Sequence, residues 1–318
     1  MLRGVPTGKV DRSDPHVAVF PNADPSIVAQ ALASPLVVLA STASTSGQPD
    51  GTGAFRASLG RSELVLERNL SAASGAAFLR RIVIHAASDL KASLRAFEAK
   101  NANIGWLGAG LHRPRVGAVP FDFGNAGWIV LRTGTRAEAW NAPGVAQRLL
   151  DAIEPARLGH LGLGFLPPSS DAVAWAGPTC KLLAPARSAH LAEVASTLAS
   201  ILSRPGHEVE TATLAGDDFA KRRESRDFAL MVDVVRPIGP AGASTLLALA
   251  MADDEAQAKT IAGRPPNQVS YDPRVLTRNL RLGVVGGLRV AGAVAPPVVM
   301  VGSDDGAGWD LGAGYVRR

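Results

Sequence analysis

Apolar and polar positions alternate with two different periods along the chain. Residues 54–58 and 63–67 alternate about a Leu59-Gly60-Arg61 turn, which predicts a β-hairpin. His16 to Phe20 alternates in the same way. Asp24 then places a capping carboxylate before Pro25, predicting a helix over 25–33. Arg81 to Ala87 reads as a strand and Asp89 as a cap. Leu90, Leu94 and Phe97 fall on one helical face, and the chain returns as a strand over 104–107. That order predicts a right-handed parallel crossover.

The texture changes at Pro114. Residues 116–132 are Gly-rich and strand-like, and Val145, Leu149 and Ile153 mark a helix that Pro155 interrupts. A clearer crossover follows. It has a strand over 181–184, a Ser188-capped helix turning Leu191, Val194, Leu198 and Ile201 inward, a Pro205-Gly206 stop, and a strand over 209–214. Asp217 reads as the cap of a short polar helix, residues 228–235 as a strand and 238–266 as mixed helix and loop. Residues 294–301 and 309–316 are expected to pair as closing strands. Alternating strands and helices define an α/β fold. The change at Pro114 and the return of strand patterns after Tyr271 divide it into a first lobe, 12–110 plus 270–318, and a second, 115–265.

Composition narrows the chemistry. With 318 residues, 47% apolar and 19% charged, the chain can bury two lobes. Aromatics are only 5%, against 33 Gly and 22 Pro, so small residues and turns must carry the packing. The net charge of +5 comes from Arg scattered singly or in pairs, as at Arg80-Arg81, Arg222-Arg223 and Arg317-Arg318. No dense basic block with interleaved aromatics marks a nucleic-acid surface.

One cysteine, Cys180, excludes an internal disulfide and a multi-cysteine zinc site, and its neighbours read as a buried, inert thiol. The six histidines lack the i, i+4 spacing of a helical metal pair. The acidic pairs at 217–218, 253–254 and 304–305 read as caps or solvated turns. No nucleophile elbow, P-loop or dinucleotide fingerprint is present. The expectation is a protein without catalytic residues, metal or organic cofactor. Residues 1–11 contain no apolar run of the secretory type, and the apolar stretches at 36–40 and 292–301 are too short or too proline-rich to span a membrane.

An ordered series of weak motifs adds a resemblance. Gly51-Thr52-Gly53-Ala54-Phe55, LVLERN at 64–69, LRRIVI at 79–84, NAPGVAQRLLDAIEPARL at 141–158, Leu166-Pro167-Pro168, the 181–218 crossover and RDFALMVDVVRPIGP at 226–240 follow one another in this order. The order and spacing resemble the family-5 extracellular solute-binding proteins, the oligopeptide, dipeptide and nickel type of ABC-transporter substrate-binding protein. The resemblance implies a two-lobed periplasmic-binding-protein-like α/β fold with the amino-terminal portion missing. It also implies a periplasmic or extracytoplasmic protein that captures a peptide or other small solute for a membrane permease.

On that resemblance Gly53, Phe55, Asp233 and Arg236 line the ligand cleft, with Trp128 and Trp175 as apolar walls. A separate chain is expected to supply the missing part. The departures set the second expectation. Asp233 stands where relatives carry a tryptophan, and Arg236 where many peptide-binding relatives carry the aspartate that pairs with the peptide amine. A cation there repels an ammonium by about 1 to 4 kcal/mol at ~4 Å. Free-amine peptides are therefore expected to bind weakly, and any ligand to be anionic. The alternative is a degenerate accessory or scaffold subunit of a larger complex, with no ligand.

Overall fold

The computed structural model describes residues 19, 53–73, 75–87, 90–106, 115–164, 171–236, 242–262, 273–302 and 309–317. The expected helix at 25–33, the strand at 16–20 apart from Val19, the Asp89 cap and the Leu166-Pro167-Pro168 run lie outside the described residues.

The expected hairpin forms as β1 (Phe55–Leu59) and β2 (Glu63–Arg68), antiparallel with Phe55 opposite Arg68. β3 (Arg81–His85) pairs antiparallel with β2 and completes a three-stranded sheet. Asn69 ties the hairpin base together, donating from Nδ2 to the Gly53 carbonyl at 3.0 Å.

The strand, helix, strand unit that follows is not a crossover. α1 (Leu90–Glu98) leads to β4 (Ile104–Trp106), which lies in a different sheet from β3, antiparallel to a later strand with Ile104 opposite Val294. The reason is where α1 finds apolar partners. Its buried Phe97 and its Leu94 pack with Ala293 and Ala295, far along the sequence, and not over β3. Periodicity detects an amphipathic helix but does not say which sheet it covers.

β5 (Val119–Thr133) then runs into a 3-10 segment at Thr135–Trp140, α2 (Val145–Asp151) and a second 3-10 segment at Pro155–Leu161. The second crossover is as expected: β6 (Cys180–Pro185), α3 (Ala189–Leu202) and β7 (Val209–Leu214), with β6 and β7 parallel. Ser188 caps α3 by accepting the Leu191 N–H at 3.3 Å. α4 (Gly216–Ser225) begins one residue earlier than the expected cap. Asp217 and Asp218 therefore lie in its first turn, where the helix dipole favours carboxylates. β8 (Leu230–Val235), α5 (Gly242–Met251), α6 (Glu255–Ala262) and α7 (Pro273–Thr277) follow, then β9 (Leu282–Val294) and an antiparallel pair, β10 (Val298–Gly302) and β11 (Trp309–Val316).

The main sheet has the order β4-β9-β5-β8-β6-β7. β8, β6 and β7 are parallel, and the remaining pairs are antiparallel. This sheet takes β4 and β9 from the segments assigned to the first lobe and β5 to β8 from those assigned to the second, so its hydrogen bonding does not divide at Pro114.

β9 escaped the sequence reading because its glycines hide the strand pattern. Their role is clearance: a Cβ on Gly283 would sit 2.6 Å from the Gln147 backbone nitrogen of α2, and one on Gly286 would lie 2.9 Å from Leu163 Cβ. Gln147 is itself buried. Its Oε1 accepts the Val284 N–H and the Thr277 hydroxyl, each at 3.0 Å, and its Nε2 donates to Asp151 at 2.9 Å. It thereby holds β9 where the strand bulges between Gly286 and Val284.

Strand alternation gives the main sheet two unlike faces. One carries the main core: Ile129 and Leu131 of β5, Leu182 and Ala184 of β6, and Leu230 and Val232 of β8 lie under Leu149, Val194 and Leu198 from α2 and α3. The other carries two smaller patches. Leu183, Phe219, Phe228 and Met231 form one; Val130, Val235, Leu249, Leu282 and Val284 form the other.

Candidate functional site

The ground between those two patches is charged. β5 places Val130 opposite Asp233 and Arg132 opposite Met231, so Arg132 and Asp233 share the second face as diagonal neighbours. Their side chains are only 11% and 8% exposed, and Arg132 Nη2 lies 3.2 Å from Asp233 Oδ2. Arg132 Nη1 donates to the Ala252 carbonyl at 2.7 Å. Burial draws the Arg132 guanidinium below its ordinary value, opposed by Asp233 and Asp253; an arginine nevertheless stays protonated.

Asp233 is shared. Its Oδ1 accepts the Val234 N–H at 2.8 Å, while Arg223 Nη1 of α4 approaches Oδ2 at 3.8 Å. Neither cation is aligned for a hydrogen bond to Oδ2. Asp233 Oδ2 and Arg132 Nε are both buried without a hydrogen-bond partner. A second pair closes the far side. Asp253 accepts the Arg281 N–H at 2.8 Å and faces Arg226 Nη2 at 3.0 Å. Arg226 ends α4 in the left-handed conformation, φ 56°, which turns its guanidinium back toward the α5–α6 joint. Asp254, beside it, caps α6 by accepting the Ala256 and Gln257 N–H groups.

Arg132, Arg223, Arg226, Asp233 and Asp253 border one cavity of about 530 Å³, open to solvent, between β8, α4, α5 and α6. Val235, Ala248, Met251 and Ala252 give it an apolar side, and Val234, whose side chain packs on the main core, Arg236, Glu224 and Glu255 complete the lining. Arg236 is exposed at the end of β8 and has no ion pair among the described residues. No group of three or more His, Cys, Asp or Glu side chains is arranged to hold a metal among the described residues.

Of the residues expected in a ligand cleft, the structure brings Asp233 and Arg236 to this cavity. Trp128 is a half-buried neighbour, opposite Val235 in the β5–β8 ladder and packed on the Val130 patch, and its buried indole N–H has no acceptor among the described residues. Trp175 is elsewhere. It is 1% exposed in the main core, its ring 5.2 Å from that of Trp140, so it supports the opposite face and forms no cavity wall. A tryptophan in a Pro- and Gly-rich stretch gives no sequence sign of which way it faces. Phe55 belongs to the three-stranded sheet and Gly53 lies just before it, and neither borders the cavity.

Sequence reasoning missed Arg132, Arg223, Arg226 and Asp253. A signal existed for the first: Arg132 and Asp233 are opposite charges set within the apolar runs WIVLR and LMVDVV, and buried charges are paired. Arg223 read as a member of a scattered basic surface and Arg226 only as the start of a strand motif, because their pairing depends on how α4 ends.

No protein-family model matches the sequence, and no characterised protein matches it by sequence. Solved structures do match by fold. The peptide-binding pheromone receptor PrgZ superposes with a TM-score of 0.61 at 11% identity, over 84% of this chain and 65% of its own. The oligopeptide-binding protein AppA from Bacillus subtilis, solved with a nonapeptide, gives 0.56 at 12% identity over 84% and 67%. NikA from Staphylococcus aureus, solved with Ni(L-His)2, gives 0.63 at 12% identity over 94% and 77%. The chain spans about two thirds of the length of the two peptide-binding proteins. No helix among the described residues is long and apolar enough to cross a membrane. At these identities the likeness is one of architecture: the chain has a mixed α/β, periplasmic-binding-protein-like fold.

Proposed function

We infer that the chain is the solute-capturing component of an ABC transporter of the family-5 type, acting outside the cytoplasm, delivering to a membrane permease and carrying out no catalysis. The observation that carries this reading is the overlap of its fold with solved peptide- and nickel-binding proteins, the same group that the motif order resembles. The reading keeps two lobes, 12–110 with 270–318 and 115–265, joined through the β5–β9 ladder. Gly53 and Phe55 act on one side of the cleft, and Asp233, Arg236 and Trp128 on the other. Arg236, exposed and without an ion pair among the described residues, selects against a free amine and for an anionic solute.

Calorimetric titration with a mixed peptide library and with acidic solutes tests this. Acidic solutes are expected to bind, and free-amine peptides to bind weakly until Arg236→Asp is introduced. Micromolar peptide binding that Arg236→Asp weakens would overturn the assignment of Arg236. One observation favours the second reading, a ligand-free accessory subunit: Asp233, at the tryptophan position of relatives, is engaged by Arg132 and Arg223. Absence of binding to every solute, with a stable protein complex recovered from cells, is the outcome that reading requires.

A further inference from the structure

Four cations and four anions line the cavity, but they are not equally withdrawn from solvent. The less exposed among them are Arg132, Arg223 and Arg226 against Asp233 and Asp253, three cations to two anions, which leaves one positive charge on the deeper side. The other charges sit at the rim: Arg236 and Glu224 are exposed, and Glu255 is occupied by Lys259 at 3.1 Å. Two unmet hydrogen-bonding atoms of opposite sense adjoin this excess. Arg132 Nε is a buried donor without an acceptor, and Asp233 Oδ2 a buried acceptor without an aligned donor. Each such group costs free energy until something answers it. Beside them lies an apolar wall of Val235, Ala248 and Met251.

A single small molecule meets all three demands if it carries one negative charge, one adjacent donor and an aliphatic part. We propose that the cavity binds a small 2-hydroxycarboxylate with an aliphatic tail. Its carboxylate answers the excess guanidinium charge, its hydroxyl donates to Asp233, and its tail lies along Val235, Ala248 and Met251. A 2-amino acid fits less well, because its ammonium returns the charge that the carboxylate neutralises. This inference rests on the solute-capture reading and names the chemistry of the solute.

Titration of the full chain with 2-hydroxyisocaproate, isocaproate, 2-hydroxyisocaproamide and leucine tests it. 2-Hydroxyisocaproate is expected to bind most tightly. Loss of the hydroxyl or of the charge should each weaken binding roughly tenfold, about the worth of one good hydrogen bond or ion contact. Arg223→Gln, at a half-exposed position, should weaken 2-hydroxyisocaproate binding by a similar factor with an unchanged circular dichroism spectrum. Equal binding of isocaproate or of the amide, leucine binding as tightly, or an Arg223→Gln variant of full affinity would each overturn the inference. If none of the four binds while another solute does so in an Arg236-dependent way, the inference falls and solute capture stands. If no solute binds at all, both fall.

Discussion

On one face of the main sheet α2 and α3 lie over an unbroken apolar surface in which Leu131, Leu149, Leu182 and Leu198 are fully buried. On the other face α4 and α5 cover two separate apolar patches, and between them Arg132 and Asp233 are buried beside an open cavity. The same strands supply both faces, so the difference comes from alternate residues of one short segment. Leu230 and Val232 point to the continuous core, while Met231 and Asp233 point to the divided face. The first face is organised for stability. The second gives up apolar area to hold charges that water would otherwise solvate, an arrangement of little net stabilising value, and such ground is where binding chemistry is expected.

The largest effect should come from splitting the buried pair. Asp233→Leu or Arg132→Met leaves a charge uncompensated and is expected to cost about 4 kcal/mol, whereas the double variant should recover most of it. Urea denaturation of the three proteins measures this, and singles that lose under ~1 kcal/mol would mean that water already reaches the pair. On the continuous face Leu198→Ala should cost about 3 kcal/mol through lost burial and the cavity left behind. Gly283→Val forces a side chain into the α2 backbone and should cost about 2 kcal/mol, the typical price of overpacking.

A chemical probe sharpens the contrast between the faces. Burial pushes the Cys180 thiol, at the start of β6 and packed against the main core, up to about 11. Alkylation at neutral pH should therefore run about a hundredfold slower than for an exposed thiol, and full reactivity would show that this face opens readily. The smallest effect concerns exposed pairs. Arg136 and Arg222 hold the Asp227 carboxyl below the usual carboxylate range, and Arg289 does the same for Asp122. A depressed folded-state value contributes stability that is present above the unfolded value, near ~3.9, and lost as pH falls through the folded value. Stability should thus fall on the acid side below about pH 4, and Arg136→Gln should flatten that limb slightly.

What was legible in the sequence was local. The β1–β2 hairpin, the β6–α3–β7 crossover with its Ser188 cap and the β10–β11 pair all follow from periodicity and turn chemistry within a few tens of residues. What was not legible depends on distant partners. β4 joins β9 across most of the chain, and β9 is a strand whose glycines make room for Gln147 and Leu163. The candidate site divides in the same way. Asp233 and Arg236 stood out against a family pattern, but Arg132, Arg226 and Asp253 become a site only when β5, the end of α4 and the α5–α6 joint meet. Trp175 illustrates the converse, an aromatic of the right kind on the wrong side of the sheet.

The ladder between β5 and β9 is irregular in a particular way. From Asp122 to Asn125, and again from Asn125 to Trp128, β5 spends three residues where β9 spends two; beyond Trp128 the β5–β8 pairing is continuous to Thr133. In evolutionary terms the first stretch is where length can change. Removing one residue between 123 and 127 alters a bulge and leaves the pairing from Trp128 to Thr133 in register. The same deletion between 129 and 131 moves Arg132 to the opposite face, into the apolar core and away from Asp233. Insertions and deletions among descendants of this chain should therefore collect before Trp128 and be purged after it.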